Sequence, residues 1–157
     1  MATYPATLPL AQKDGYVITP TSGVLKTAMT SGTARQRRII ERPPTNISVK
    51  WIYSIAEFAV FEAWYLHEAK MGAEWFEIDL LAGLGLVKHT ARFTDEGYKA
   101  PFNKRSNKFE VTAVLETELR PVLSKGSLAL TLIYGIEDLN KAASRLKTCV
   151  HNTFNKL

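Results

Sequence analysis

A helix start at Ser54 is the local signal that most constrains this chain. Ser54-Ile55-Ala56-Glu57 has the spacing of a capping box, in which the serine hydroxyl accepts a hydrogen bond from the Glu57 amide and the Glu57 carboxylate accepts one from the Ser54 amide. The residues that follow predict an amphipathic helix to about Met71, with Gly72 placed to be the left-handed residue after it. The apolar stripe of this helix is Phe58, Phe61, Tyr65 and Ala69.

Segments with a two-residue apolar period lie on both sides of the predicted helix. They occur at 48–53, 76–80, 87–93 and, most clearly, 108–119. Such alternation predicts half-buried strands, whereas the polar segment 95–107 predicts a loop. The order strand, helix, strand, strand, strand predicts an α+β domain, with an antiparallel β-sandwich or curled sheet and one packed helix.

The two ends of the chain differ from this predicted core at 47–120. Residues 1–46 are punctuated by proline and glycine, which predicts an extended N-terminal arm with short strands at 16–19 and 37–40. Residues 121–157 form a predicted C-terminal extension. Within it, 128–134 fits a strand or a helix, and the region from Ile136 onward has the period of an amphipathic helix.

The composition of the chain is compatible with several kinds of binding partner. The net charge of +5 allows contact with nucleic acid or with an acidic protein and proves neither. The single cysteine excludes an internal disulfide bond. The sequence shows neither a run of about 20 apolar residues nor a signal-peptide pattern, so we expect a soluble product of the cytoplasm without a membrane anchor.

The sequence contains no strong catalytic or metal-binding motif. His67, His89 and His151 lack the spacing of a metal motif, and Cys149 with His151 lacks the further ligands of a zinc site. Glu77 and Asp79 share one face of a predicted strand and could flank a substrate or a cation, but solvent-facing carboxylates are more common. We therefore expect no catalytic residue, no cofactor, no metal and no small-molecule substrate, and a protein that is not an enzyme.

The densest charge run is formed by Arg35, Arg37, Arg38 and Arg42. These side chains could contact phosphates, or they could pair with acidic groups of a neighbouring subunit, which we favour. Most aromatic residues are expected in the core. Trp51 and Trp75 are expected to be partly exposed at an interface, where tryptophan is enriched.

The stretch from Val49 to Glu118 resembles the minor tail and distal tail proteins of long-tailed bacteriophages, including the minor tail protein M of lambdoid phages. The shared motifs are the helix with Phe61-Glu62-Ala63-Trp64, the break and strand Gly72-Ala73-Glu74-Trp75-Phe76, the strand segment Ala91-Arg92-Phe93, and a long alternating strand that ends in Glu116. Upstream, 12–16 and 34–38 look like segments of prophage tail-region proteins. The C-terminal extension has no counterpart in the shorter relatives.

The resemblance implies a tail-tube-like fold and a ring, often hexameric, through which DNA passes. It implies a structural protein of the virion tail that joins the tail tube protein to the hub proteins of the tip or baseplate. Two alternatives stay open: a tail terminator or head-to-tail connector protein, and a small nucleic-acid-binding domain that uses the basic arm.

For a ring protein, the candidate site residues are those of the contacts between copies. The expected interface residues are Tyr16, Arg35, Arg37 and Arg38 on the arm, and Leu146, Val150 and Phe154 on the C-terminal helix. Deletion of residues 1–40 is expected to leave a folded monomer that no longer assembles.

Overall fold

A computed structural model describes residues 2–29, 32–137 and 141, and it divides the chain into two compact units, 1–121 and 122–157. Among these residues the first unit contains one α-helix, α1, at Ile55–His67, which is followed by a short 3₁₀ helix at Lys70–Gly72. The second unit contains α2, at Lys125–Tyr134. The strands, all in the first unit, are β1 Ala2–Thr3, β2 Val17–Pro20, β3 Val24–Thr27, β4 Arg35–Arg38, β5 Thr45–Tyr53, β6 Phe76–Ala82, β7 Gly85–Lys99, β8 Phe102–Asn103 and β9 Lys108–Thr117. The predicted α+β class is confirmed.

The main sheet is open and has the strand order β1-β6-β7-β9-β5-β2, with the short β8 paired to β9. Every pairing is antiparallel except that of β1 with β6. Tyr16, which directly precedes β2, donates its hydroxyl hydrogen to the Leu81 carbonyl of β6 at 2.9 Å. Strands at opposite ends of the order therefore approach each other, so the sheet is curled.

Helix α1 lies on the apolar face of this sheet. The alternation places every second side chain on that face, and α1 adds Phe61 and Trp64. Trp51 is fully buried, so the expectation that it is partly exposed is wrong. Trp75 is half-buried, with the Arg92 guanidinium 4.7 Å from its ring centroid. The fully buried residues are Ile47, Trp51, Tyr53, Phe61, Ala69, Phe76, Ala91, Val111, Leu115 and Thr117.

The capping box at the start of α1 is present. The Ser54 amide donates to the Glu57 carboxylate at 2.7 Å, and the Glu57 amide donates to the Ser54 hydroxyl at 3.3 Å. The helix ends at His67, earlier than Met71, because Lys70 and Met71 already have positive φ angles of 47° and 58°. Gly72 follows at φ 93°, in the left-handed region as predicted.

Segment 95–107 is not the loop that its polarity predicted, because β7 runs on to Lys99 and β8 follows. Phe93 pairs with Leu115 and Tyr98 pairs with Ala113, so residues 94–97 form a large bulge opposite the single residue Val114. A bulge interrupts the two-residue period of apolar side chains, so the sequence pattern does not predict that the strand continues past it. Segment 128–134 belongs to α2, which resolves the choice between strand and helix.

Residues 2–16 are part of the first unit and pack on its core. The Tyr4 amide donates to the Glu77 carbonyl of β6, whereas the Tyr4 ring stacks on Trp51 of β5 at a centroid distance of 6.2 Å. The Gln12 amide donates to the Lys50 carbonyl of β5 at 2.7 Å. This N-terminal segment therefore bridges the gap between the two ends of the curled sheet. Deleting residues 1–40 would remove buried side chains, so loss of the fold is now the expected result.

Tyr4 provides a test of this bridge. Its side chain is 8% exposed, and its hydroxyl lies 2.8 Å from that of Tyr53. We expect Tyr4→Ala to lower the free energy of unfolding by about 3–5 kcal/mol, as for other buried aromatic residues, and Tyr4→Phe by about 1–2 kcal/mol because the Tyr53 hydroxyl loses a partner. Urea denaturation measures both values. Lys13→Ala, an exposed change in the same segment, is the control and should stay within about 0.5 kcal/mol.

The capping box predicts a pH dependence of stability. The hydrogen bond from the Ser54 amide holds the pKa of Glu57 below the ordinary carboxyl value of 4.5. A lowered folded-state pKa means that the carboxylate stabilises the fold above the unfolded pKa and stops doing so as the pH falls through the folded value. Glu57→Gln should therefore be less stable than the natural chain at neutral pH, with a difference that shrinks below about pH 4.5. A constant difference in unfolding midpoint across this range would contradict the expectation.

Candidate assembly surfaces

The outermost strands of the main sheet present unpaired backbone groups. In the described residues, β1 covers only Phe76 and Glu77 of β6, which leaves 78–82 without a strand on the side away from β7. At the other end, no strand of the described part of the chain lies beyond β2, although Pro20 removes one backbone donor from that edge. Free strand edges of this kind accept a strand from another chain.

The second surface is a two-stranded hairpin formed by β3 and β4, separate from the main sheet. All eight of its strand residues are exposed. Its base is closed by the Ile39 and Ile40 amides, which donate to the Gly23 carbonyl at 2.8 and 3.2 Å. A Cβ atom at position 23 would lie 2.6 Å from the Ile40 carbonyl oxygen, so this closure requires glycine. An isolated two-stranded hairpin is marginally stable in water, which makes this one a candidate for support by a partner.

The structure separates the arginines that the sequence grouped together. Arg38 donates to the Glu41 carbonyl at 2.6 Å and lies 3.8 Å from the Glu41 carboxylate, so it stabilises the base of the hairpin. Arg35 and Arg37 lie on the opposite face, which they share with Leu25 and Thr27; we call these four residues the arginine face. Neither Arg35 nor Arg37 has an ion-pair partner in the part of the chain that the structure describes.

Of the other predicted interface residues, one lies within the fold of its own chain and three lie outside the described residues. Tyr16 is half-buried, and its bond to Leu81 is made within its own chain; burial raises its pKa. Leu146, Val150 and Phe154 fall outside the described residues.

The third surface is an open groove of about 640 Å³ beside the bulge, which we call the bulge groove. On one side Arg92 is held by Glu116, whose Oε2 atom lies 2.7 Å from Nε and 2.6 Å from Nη2. On the other side the Tyr65 hydroxyl donates to the Met71 carbonyl at 2.8 Å. The groove is lined by Asn46, Tyr65, Met71, Gly72, Ala73, Arg92, Phe93, Thr94, Asp95, Gly97 and Glu116. No sequence pattern predicts this groove, because it depends on the bulge.

Among the described residues no cluster of histidine, cysteine and carboxylate side chains could hold a metal ion. Glu77 lies 3.7 Å from Lys88, which fits the solvent-facing interpretation of that carboxylate. His89 is buried, with Nδ1 2.6 Å from the Val87 carbonyl and Nε2 without a hydrogen-bond partner among the described residues. None of the described helices has the length and apolar character needed to cross a bilayer.

Comparison with known proteins gives no relative. No family model, no curated protein and no solved structure matches this chain. A function must therefore be inferred from its own residues and surfaces.

Gly72 connects the end of α1 to the bulge groove and can be tested directly. Its φ is +93°, and a Cβ atom would lie 2.8 Å from Cβ of Phe93. We expect Gly72→Ala to lower the free energy of unfolding by about 1–2 kcal/mol for the left-handed backbone, with a further 1–3 kcal/mol, roughly, for overpacking. Gly83→Ala is the matched control, because no atom lies within 4 Å of its Cβ position. Equal unfolding midpoints for the two variants would contradict this account.

Proposed function

We propose that this chain is a structural protein of a bacteriophage tail, which forms a homo-oligomeric ring at or near the tip and joins the tail tube to the distal tip complex. The observation that carries the proposal is the open curled sheet, in which, among the described residues, β2 and residues 78–82 of β6 have no strand on their outward side. If the β2 edge of one copy pairs with the β6 edge of the next, the contact is head-to-tail, and repeated rotation closes a ring.

Three further features support this proposal. The strand and helix pattern that resembles minor tail and distal tail proteins lies within one folded unit, residues 1–121. The exposed hairpin offers a second contact surface. A neighbouring copy that binds it would offset the entropy cost of ordering it. The charged side chains on the outward face of the sheet are largely paired with each other, as in Lys50 with Glu110 at 3.0 Å, which suits a scaffold better than a reactive cleft.

The arginine face also favours a second candidate, a small nucleic-acid-binding domain. Arg35 and Arg37 are exposed and are adjacent on one face, which is suitable for contact with two phosphates. Two such contacts predict a slope of roughly −2 for the logarithm of the binding constant against the logarithm of salt concentration. Duplex binding of that kind by a chain that stays monomeric would favour this candidate.

The ring proposal predicts that assembly depends on the strand edges. We expect the purified full chain to form rings with a central hole in negative-stain electron microscopy. The double change Val17→Lys and Leu81→Lys places charges at exposed apolar positions on β2 and on the uncovered part of β6, 53% and 41% exposed, and should give folded monomers. Val60→Lys, at a 47% exposed position on α1, is the control and should still assemble.

A contradictory result is equally clear. If the natural chain remains a monomer in sedimentation experiments at every concentration tested, the proposed ring is wrong. If the Val17→Lys and Leu81→Lys chain assembles as well as the control, the sheet edges are not the contact.

A further inference from the structure

We propose that α2 packs against the α2 helices of two other copies of this chain, so that the second units of several copies form a helical bundle. The inference deepens the proposed self-assembly and rests on it for the presence of several copies side by side. It assigns a partner to a helix none of whose side chains is buried.

The second unit exposes a large amount of apolar surface around α2. Residues 122–136 carry one charged side chain, Lys125. Together the large apolar side chains at 128–136 present surface on the order of 800 Å², which is what each partner buries in a typical stable protein complex. These side chains are 49–77% exposed, and they are Leu128, Leu130, Leu132, Ile133, Tyr134 and Ile136.

The exposed apolar side chains of α2 lie on two sides of the helix. Successive residues are rotated by about 100°, so residues four apart lie on the same side. Leu128 and Leu132 therefore form one row, which we call the leucine row. Leu130 and Tyr134 form a second row, the tyrosine row, roughly opposite the first, and Ile133 lies between the two. One groove or one partner helix covers a single side, so two rows require two neighbours.

The remaining side of α2 is polar and is satisfied locally. Ser127 and Thr131 lie on it and are half-buried. The Thr131 hydroxyl donates to the Ser127 carbonyl at 2.8 Å, and the Ser127 amide donates to the Ser124 hydroxyl at 3.1 Å. The hydroxyl side is thus the less exposed one, and the apolar rows face solvent. Because an isolated helix of this length is marginal in water, contacts along these rows would stabilise it.

Other copies of α2 fit these features better than a membrane surface does. A helix that lies on a membrane has one apolar face opposite a cationic face, whereas α2 carries Lys125 alone and has apolar rows on two sides. Apolar rows on more than one side are typical of helices inside a bundle. In a ring of head-to-tail copies every subunit has two identical neighbours, so the leucine row of one copy meets the tyrosine row of the next.

Lysine substitution in either row tests the inference. Self-association of the full chain is measured by sedimentation. We expect Leu128→Lys with Leu132→Lys, and separately Leu130→Lys with Tyr134→Lys, each to weaken association by about tenfold or more, because charges would be buried against an apolar row. Lysine and leucine have similar helix propensities, so the substitutions do not disfavour α2 itself.

The matched control is Val60→Lys with Leu66→Lys. These two residues of α1 are also about half exposed, and their substitution adds the same charge as substitution of a row. Association of the control should equal that of the natural chain. If the control weakens association as much as the row variants do, the effect is one of net charge and the bundle is wrong.

Cross-linking tests whether α2 has two neighbours. In chains with Cys149→Ser, Leu128→Cys together with Leu130→Cys places one cysteine in each row. A disulfide within one chain is excluded because the two Cβ atoms point apart. Oxidation should therefore give covalent trimers and larger species, whereas either cysteine alone should give dimers at most. Dimers alone from the chain with both cysteines would contradict a bundle with two neighbours for each helix.

The outcomes separate the two proposals. If the row variants associate as tightly as the natural chain, α2 is covered by something other than its copies, the bundle is wrong and the ring is unaffected. If the row variants lose association while the Val17→Lys and Leu81→Lys chain assembles like its control, the strand-edge contact is wrong and the bundle stands. A natural chain that is always monomeric overturns both.

Discussion

Packing around Phe61 is the interaction on which most of the first unit depends. Its ring lies 6.1 Å from Trp51 and 5.2 Å from Tyr53, both on β5, and 6.5 Å from Phe93 and 5.1 Å from Tyr98, both on β7. One helical side chain therefore joins α1 to two strands that are not neighbours in the sheet. Aromatic contacts of this kind add to the free energy gained by burial of their surface.

The same packing accounts for the bulge groove. Phe93 and Tyr98 both contact Phe61, although four residues separate them and their partners on β9 are separated by only one. The excess chain at 94–97 bulges out of the ladder within β7, and it exposes Asp95 and Glu96. The acidic bulge and its groove are thus a consequence of how the core is filled.

The N-terminal segment has a corresponding role at the open side of the sheet. Tyr4 reaches the aromatic residues of β5, and the Tyr4 and Tyr53 hydroxyl groups bond to each other away from water; desolvation by burial raises the pKa of both, so both stay neutral. By packing over the gap, residues 2–16 stabilise the curl. Along the outward side of β6 they reach the carbonyls of Glu77 and Leu81, and in the described residues no strand pairs with 78–82 on that side. The sheet can therefore be stable in a single copy and still carry the free edges that the proposed ring requires.

The sequence by itself determined the parts of this protein that depend on near neighbours. The capping box at Ser54 and the alternation of β5, β6 and β9 identified the helix, the strands and the α+β class, because caps and two-residue periods are set within a few residues. Only the tertiary structure decided that residues 2–16 cross the sheet, that Trp51 is buried, and that 94–97 form a bulge. Only the tertiary structure also separated Arg38 from Arg35 and Arg37. Each of these depends on contacts between residues distant in sequence or on the pairing register of strands, and local periodicity carries no information about either.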